Sequence, residues 1–133
     1  MAVISSESLP VKVEPDVVAV RRRVRELSAQ LGFSLVDQTK VVTAASELAR
    51  NTIIYGGGGT MQAEALNGPR NGLRLTFEDK GPGIPDISLA LRDGFTTGSG
   101  LGLGLGGAKR LVSEFAIVSR PGEGTKVTIT RWK

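Results

Sequence analysis

The chain has 133 residues, 40% apolar and 23% charged, with a net charge of +4; this fits one soluble globular domain long enough to bury a core. It has no cysteine and no histidine, which excludes disulfides, thiolate metal sites, Ser-His-Asp hydrolysis, histidine-bound zinc and phosphorylation on histidine. Any general base must be Asp, Glu, Lys or Tyr, and any metal a hard, oxygen-liking ion such as Mg²⁺.

Residues 1–8 read as a disordered tail, and residues 9–133 as a single domain. Leu9, Val11 and Val13 alternate with Pro10, Lys12 and Glu14, the pattern of a short strand, at a sheet edge because of Pro10. Pro15-Asp16 opens a helix carrying Val17, Val20, Val24, Leu27 and Leu31 at three- and four-residue steps, and Gly32 stops it. Arg21, Arg22, Arg23 and Arg25 on this helix read as a solvated basic face, with contact to nucleic acid or an acidic partner as the other possibility. Aromatic residues make up only 5%, which argues against base stacking and so against a nucleic-acid partner.

Ser34 or Asp37 caps a second helix that runs through Tyr55 and carries Val41, Ala44, Ala45, Leu48 and Ile53. Glu47, Arg50 and Asn51 interrupt its apolar set. Glu47 and Asn51 share a face one turn apart, and Arg50 is within pairing reach of Glu47. On spacing alone, a surface ion pair with a surface Asn fits as well as a functional site. Gly56 to Gly59 ends the helix. Thr60 to Leu66 is a weak strand candidate, residues 67–72 form a turn, and Leu73, Leu75 and Phe77 mark a strand, so a hairpin is predicted. The strand exits into Asp79-Lys80-Gly81-Pro82-Gly83-Ile84-Pro85, either a plain turn or a ligand-facing loop.

Residues 86–96 fit a short helix and a loop. Thr97 to Gly107 follows, with glycine at six of eleven positions, and runs into a helical pattern from Ala108 to Phe115. A glycine-rich loop entering a helix turns free N–H groups and partial positive charge toward an anion, as a phosphate site requires. A flexible linker is the other reading, but Leu101, Leu103 and Leu105 at even spacing argue against it. Phe115 to Arg120 and Lys126 to Trp132 are closing strands around the turn Pro121 to Thr125. The order predicts an α+β, two-layer sandwich: a mixed, mostly antiparallel sheet with helices on one face. No apolar run approaches the ~20 residues of a membrane span, and Met1 to Glu7 lacks the pattern of a signal peptide. A cytoplasmic protein with no membrane partner is expected.

Taken together, Glu47-x-x-x-Asn51, Asp79-x-Gly81-x-Gly83, Gly100-x-Gly102-x-Gly104 and Gly124-Thr125 resemble the GHKL (Bergerat) ATP-binding fold, over about residues 9 to 132. Ser46 to Asn51, Asp79 to Asp86, Asp93 to Thr97, Lys109 to Leu111 and Gly122 to Thr125 resemble its RsbT-type branch, the switch-protein serine/threonine kinases of bacterial stress signalling. The resemblance implies ATP and Mg²⁺ as cofactors. Asp79 would accept the adenine amine, with Gly81 and Gly83 against the base and Thr125 joining through water. Gly100, Leu101, Gly102 and Gly104 would wrap the phosphates, Asn51 would hold Mg²⁺, and Glu47 would be the catalytic carboxylate. Residues 85–97 would form a lid. The implied partners are a STAS-domain antagonist as substrate and a PP2C-type phosphatase activated by the free kinase. The Gly-Leu alternation from Leu103 to Gly107 is longer than the RsbT pattern, where a proline tends to interrupt. Two rival readings share these motifs: an RsbW-like anti-sigma kinase that sequesters a sigma factor, and a non-catalytic ATP-gated binding module.

Overall fold

The computed structural model describes residues 2–91 and 104–133. Helix α1 (Glu14–Gln30) starts where the Asp16 carboxylate accepts the Lys12 and Val13 amides at 2.9 and 3.1 Å, with Pro15 in its first turn. Its Val17, Val20, Val24 and Leu27 are buried. Helix α2 (Leu35–Ile54) is capped by Ser34, whose hydroxyl accepts the Asp37 amide at 3.1 Å. Of the two caps open to the sequence, Ser34 is the one used.

The strands are β1 (Ala2–Val11), β2 (Gly59–Asn67), β3 (Gly72–Asp79), β4 (Glu114–Arg120) and β5 (Gly124–Trp132). They form one sheet in the order β1-β2-β3-β5-β4. Every pairing is antiparallel, so the described sheet is not mixed as the sequence suggested. Alternate residues of the central strands (Met61, Ala63, Leu73, Leu75, Phe77, Val127 and Ile129) join the buried faces of α1 and α2 in one core. The predicted two-layer α+β sandwich is therefore observed, with its hairpin at β2–β3.

The predicted tail needs correcting. Residues 2–8 are the first part of β1, paired antiparallel with β2 from Ala2↔Asn67 onward. Backbone pairing carries this segment, since Val3 and Ile4 remain exposed and the register shifts between Val3 and Ser5. A bidentate contact adds to it: Arg23 donates to Glu7, at 2.7 Å in the shortest contact. Arg23 is thus tied to β1 and is not part of a free basic row, while Arg25 donates to Gln38 at 3.4 Å.

At the N-terminal end of α2, Arg131 donates to Asp37 at 2.7 Å and to the Leu111 carbonyl at 3.2 Å, which ties β5 to α2 and to the chain just after α4. The hydrogen bond from Arg131 is the main cause holding the Asp37 carboxyl below its ordinary value, against the opposing effect of burial. A depressed carboxyl contributes stability above its unfolded value and loses it as pH falls through the folded one. Asp37→Asn is therefore expected to lower the Tm at neutral pH. It should also shrink the Tm difference between about pH 7 and about pH 4. Glu7, depressed by Arg23, has the same sign and keeps part of the acid slope. Thermal melts of both proteins across that range check this; an unchanged acid slope would contradict it.

Candidate active site

Glu47 lies midway along α2 and is 9% exposed. A carboxylate in that position needs partners. It has two, both long: Arg50 Nη1 at 3.4 Å to one oxygen and the Gly104 amide at 3.4 Å to the other. Positive groups steer the carboxylate from two sides without closing off its lone pairs. The Arg50 pairing is the one the sequence suggested.

The Gly104 contact comes from helix α4 (Gly104–Arg110). This corrects two boundaries. Gly104 to Gly107 belong to the helix, not to the preceding loop, and the helix stops before Phe115, where β4 has already begun. The reason is packing: Gly106, Gly107 and Ala108 are buried, small enough for α4 to lie close against α2. Gly100, Leu101 and Gly102, together with the part of the expected lid from residue 92 onward, lie outside the described residues. Before that point, Ile87–Ala90 forms the short helix α3.

Asn51, half-buried, follows one turn after Glu47. Its carbonyl accepts the amides of Tyr55 at 3.0 Å and Gly56 at 3.3 Å, which curls the chain inward at the helix end. Gly56 then sits directly against Asp79: a Cβ on Gly56 would overlap the Asp79 carboxyl group, and one on Gly81 would come within 2.7 Å of the Gly56 carbonyl oxygen. A side chain at either position would have to displace its neighbour, so glycine at both lets Asp79 sit against the end of α2.

Asp79 ends β3, in register with Gly59 on one side and Thr125 on the other. Its Oδ1 accepts the Gly81 amide at 2.9 Å, and Oδ2 has no hydrogen-bond partner among the described residues. The loop after it is fastened to the β4–β5 end. The Gly122 amide donates to the Pro82 carbonyl at 2.8 Å, the Ile84 amide donates to Ser119 Oγ at 2.7 Å, and Ser119 Oγ lies 2.8 Å from Thr125 Oγ1. Gly83, at φ +79, passes so close to the Arg120 carbonyl that a side chain would collide with it.

Glu47, Asn51, Asp79, Gly81, Gly83, Gly104 and Thr125 are therefore linked through the C-terminal half of α2 and the end of the sheet. Ser119 and Gly56 belong to this network and escaped the sequence reading. Ser119 stands in no motif, whereas the small residue at the α2 exit was visible but was read only as a helix stop. Among the described residues, no cluster of His, Cys, Asp or Glu could hold a metal by itself. Asn51 and Glu47 present oxygen donors one turn apart, which suits Mg²⁺ held by one or two protein oxygens together with phosphates. A groove of about 440 Å³ lies elsewhere, lined by Val18, Arg21, Arg22, Arg25, Glu26 and Val42, and none of the residues above borders it. No described helix is long and apolar enough to cross a membrane.

An antiparallel sheet under two helices, with an acid-Asn helix facing a strand-end aspartate and glycine turns, defines an ATPase module of the GHKL type. The chain belongs to the family described as histidine kinase-, DNA gyrase B- and HSP90-like ATPase, whose model matches residues 36–133. Its relatives place it with the RsbT-type kinases: it is 46% identical over 123 residues to the serine/threonine-protein kinase RsbT of Bacillus subtilis (strain 168), covering 92% of each chain. It is 31% identical over 117 residues to the anti-sigma F factor of Thermoanaerobacter sp. (strain X514), covering 84% of this chain and 82% of the other. Among solved structures, the RsbU and RsbW domains of Rv1364c from Mycobacterium tuberculosis superpose with a TM-score of 0.67 at 26% identity; the match covers 96% of this chain and 32% of that longer one. The mycobacterial sensor histidine kinase MprB, at 18% identity and a TM-score of 0.56, shares the fold.

Proposed function

We propose that this chain is a cytoplasmic, Mg-ATP-dependent serine/threonine kinase that phosphorylates a STAS-domain antagonist and, when free, activates a PP2C-type phosphatase. One observation carries the reading: Glu47 is held at the start of α4, one turn from Asn51, on the helix whose end packs over Asp79. Asp79 Oδ2 accepts the adenine amine, Gly81 and Gly83 lie along the base, and Thr125 completes the contact through water. Gly100, Leu101, Gly102 and Gly104 surround the phosphates, and Asn51 supplies an amide oxygen to Mg²⁺. Bound there, the ion would neutralise phosphate charge. Glu47 orients the incoming Ser or Thr hydroxyl and takes its proton as the hydroxyl oxygen bonds to the γ-phosphorus and the bond to ADP breaks. Positioning of this kind suits phosphoryl transfer, where little covalent chemistry falls to the protein.

The test is to incubate the purified protein with Mg-ATP and a STAS-domain protein from the same genome. Phosphate on a Ser or Thr of the STAS protein is expected; nucleotide binding without transfer would reject kinase activity. Asn51→Ala is expected to weaken nucleotide binding about tenfold in Mg²⁺ and to leave little difference between Mg²⁺ and EDTA, the loss of one metal ligand. Calorimetry in both buffers checks this, and a persistent metal dependence would assign the ion to other ligands. The identity to the anti-sigma F factor keeps a second reading in view, an RsbW-like kinase that sequesters a sigma factor. Co-purification with a sigma factor in place of a phosphatase would favour it.

A further inference from the structure

We infer that Ser119 is a positioning residue for nucleobase selection: it turns the Thr125 hydroxyl so that only lone pairs face the base-binding side of Asp79. The inference rests on the nucleotide reading above and deepens it. Ser119 Oγ has one proton and two lone pairs. Three groups surround it: the Ile84 amide at 2.7 Å, the Gly124 carbonyl at 3.2 Å and Thr125 Oγ1 at 2.8 Å. The amide can only donate and the carbonyl can only accept. A single arrangement satisfies all three contacts: Ser119 accepts from Ile84 and Thr125 and donates to Gly124. The Thr125 proton is thereby spent inward.

Thr125 is the direct cross-strand partner of Asp79 and of Ser119, so the three side chains share one face of the sheet. Asp79 and Thr125 then each offer an acceptor from that face, the Asp79 carboxylate and the outward lone pairs of Thr125 Oγ1. A base carrying an amino group at its 6-position, or a water donating to both, matches this pair. A 6-oxo purine sets its carbonyl oxygen at the 6-position against these acceptors. A Thr125 hydroxyl free to rotate would supply the missing donor and relax the selection. Asp79 discriminates by itself; Ser119 adds to that by removing the escape.

The test is calorimetry of ATP and inosine triphosphate, with Mg²⁺, on the full chain. Wild type is expected to prefer ATP. Ser119→Ala should lower that preference about tenfold, the scale of one buried hydrogen bond reversed. Ser119→Thr, which keeps the hydroxyl, should hold it within about twofold. Because Ser119 acts through Thr125, adding Ser119→Ala to Thr125→Val should leave the preference of the single Thr125→Val variant unchanged. A purely structural role would weaken both nucleotides in parallel and leave the ratio intact. An unchanged ratio in Ser119→Ala, or a further fall on the Thr125→Val background, overturns the inference alone. If Ser119→Ala shows no thermal transition, Ser119→Cys, a weak acceptor of similar size, must show the same fall. Wild type that binds neither nucleotide overturns the nucleotide reading and this inference with it.

Discussion

Glu47→Gln is expected to cut phosphoryl transfer to a STAS substrate by about 10²–10⁴-fold, the usual contribution of a positioned general base, while ATP affinity stays within about threefold. The substitution keeps the shape of the side chain and an oxygen for one of its two partners, Arg50 or the Gly104 amide. It removes the negative charge and the capacity to take a proton. Since Glu47 lies on α2 above Asn51 and away from Asp79, nucleotide binding should survive. Transfer of radiolabelled phosphate, measured beside calorimetry on the same preparation, separates the two. Transfer at the wild-type rate would remove Glu47 from the chemistry. Lost transfer with an intact signalling output in cells would support the ATP-gated binding module.

Asp79→Asn is expected to weaken ATP binding about tenfold to a hundredfold, the cost of losing a hydrogen bond to a charged acceptor and setting a donor against the adenine amine. The structure adds a sharper partner to this experiment. Gly56→Ala changes no group that touches nucleotide, yet its Cβ would overlap the Asp79 carboxyl group. It should push that carboxylate out of place and lose at least about tenfold in ATP affinity. Its Tm should fall as well, since Gly56 and Gly81 pack backbone to backbone. Full ATP affinity in a folded Gly56→Ala protein would contradict the placement of Asp79.

The parts of the fold that were legible are those where one face is apolar and the other wet. Val17, Val20, Val24 and Leu27 announced α1, and Leu73, Leu75 and Phe77 announced β3, because burial selects those positions. Residues 2–8 gave no such signal: as an edge strand with both faces exposed, they are held by backbone pairing and one ion pair, to which side-chain periodicity is blind. Glycine misled the reading of α4 in a different way. Gly106 and Gly107 are poor helix formers in isolation, but burial against α2 outweighs that and rewards their small size. The position of β5 between β3 and β4 was not readable either, since it depends on strands far apart in the chain.

The site divides along the same line. Glu47, Asn51, Asp79 and Thr125 were visible as spaced motifs, and they stand on α2, β3 and β5. Ser119 has no motif of its own; only the register that sets it beside Thr125, with Ile84 arriving from another loop, gives it a role. Gly56 was one of four identical letters, and the fold gives them different reasons: Gly56 is packed against Asp79, whereas Gly57 has open space and a φ of +74.

The central claim is spatial, and a crystal structure with Mg²⁺ and a non-hydrolysable ATP analogue tests it most directly. The adenine amine should lie against Asp79 Oδ2, the metal on the Asn51 side chain, and the γ-phosphate in front of Glu47. A nucleotide bound elsewhere, or one whose base turns away from Asp79 with its phosphates remote from Glu47, would contradict the account.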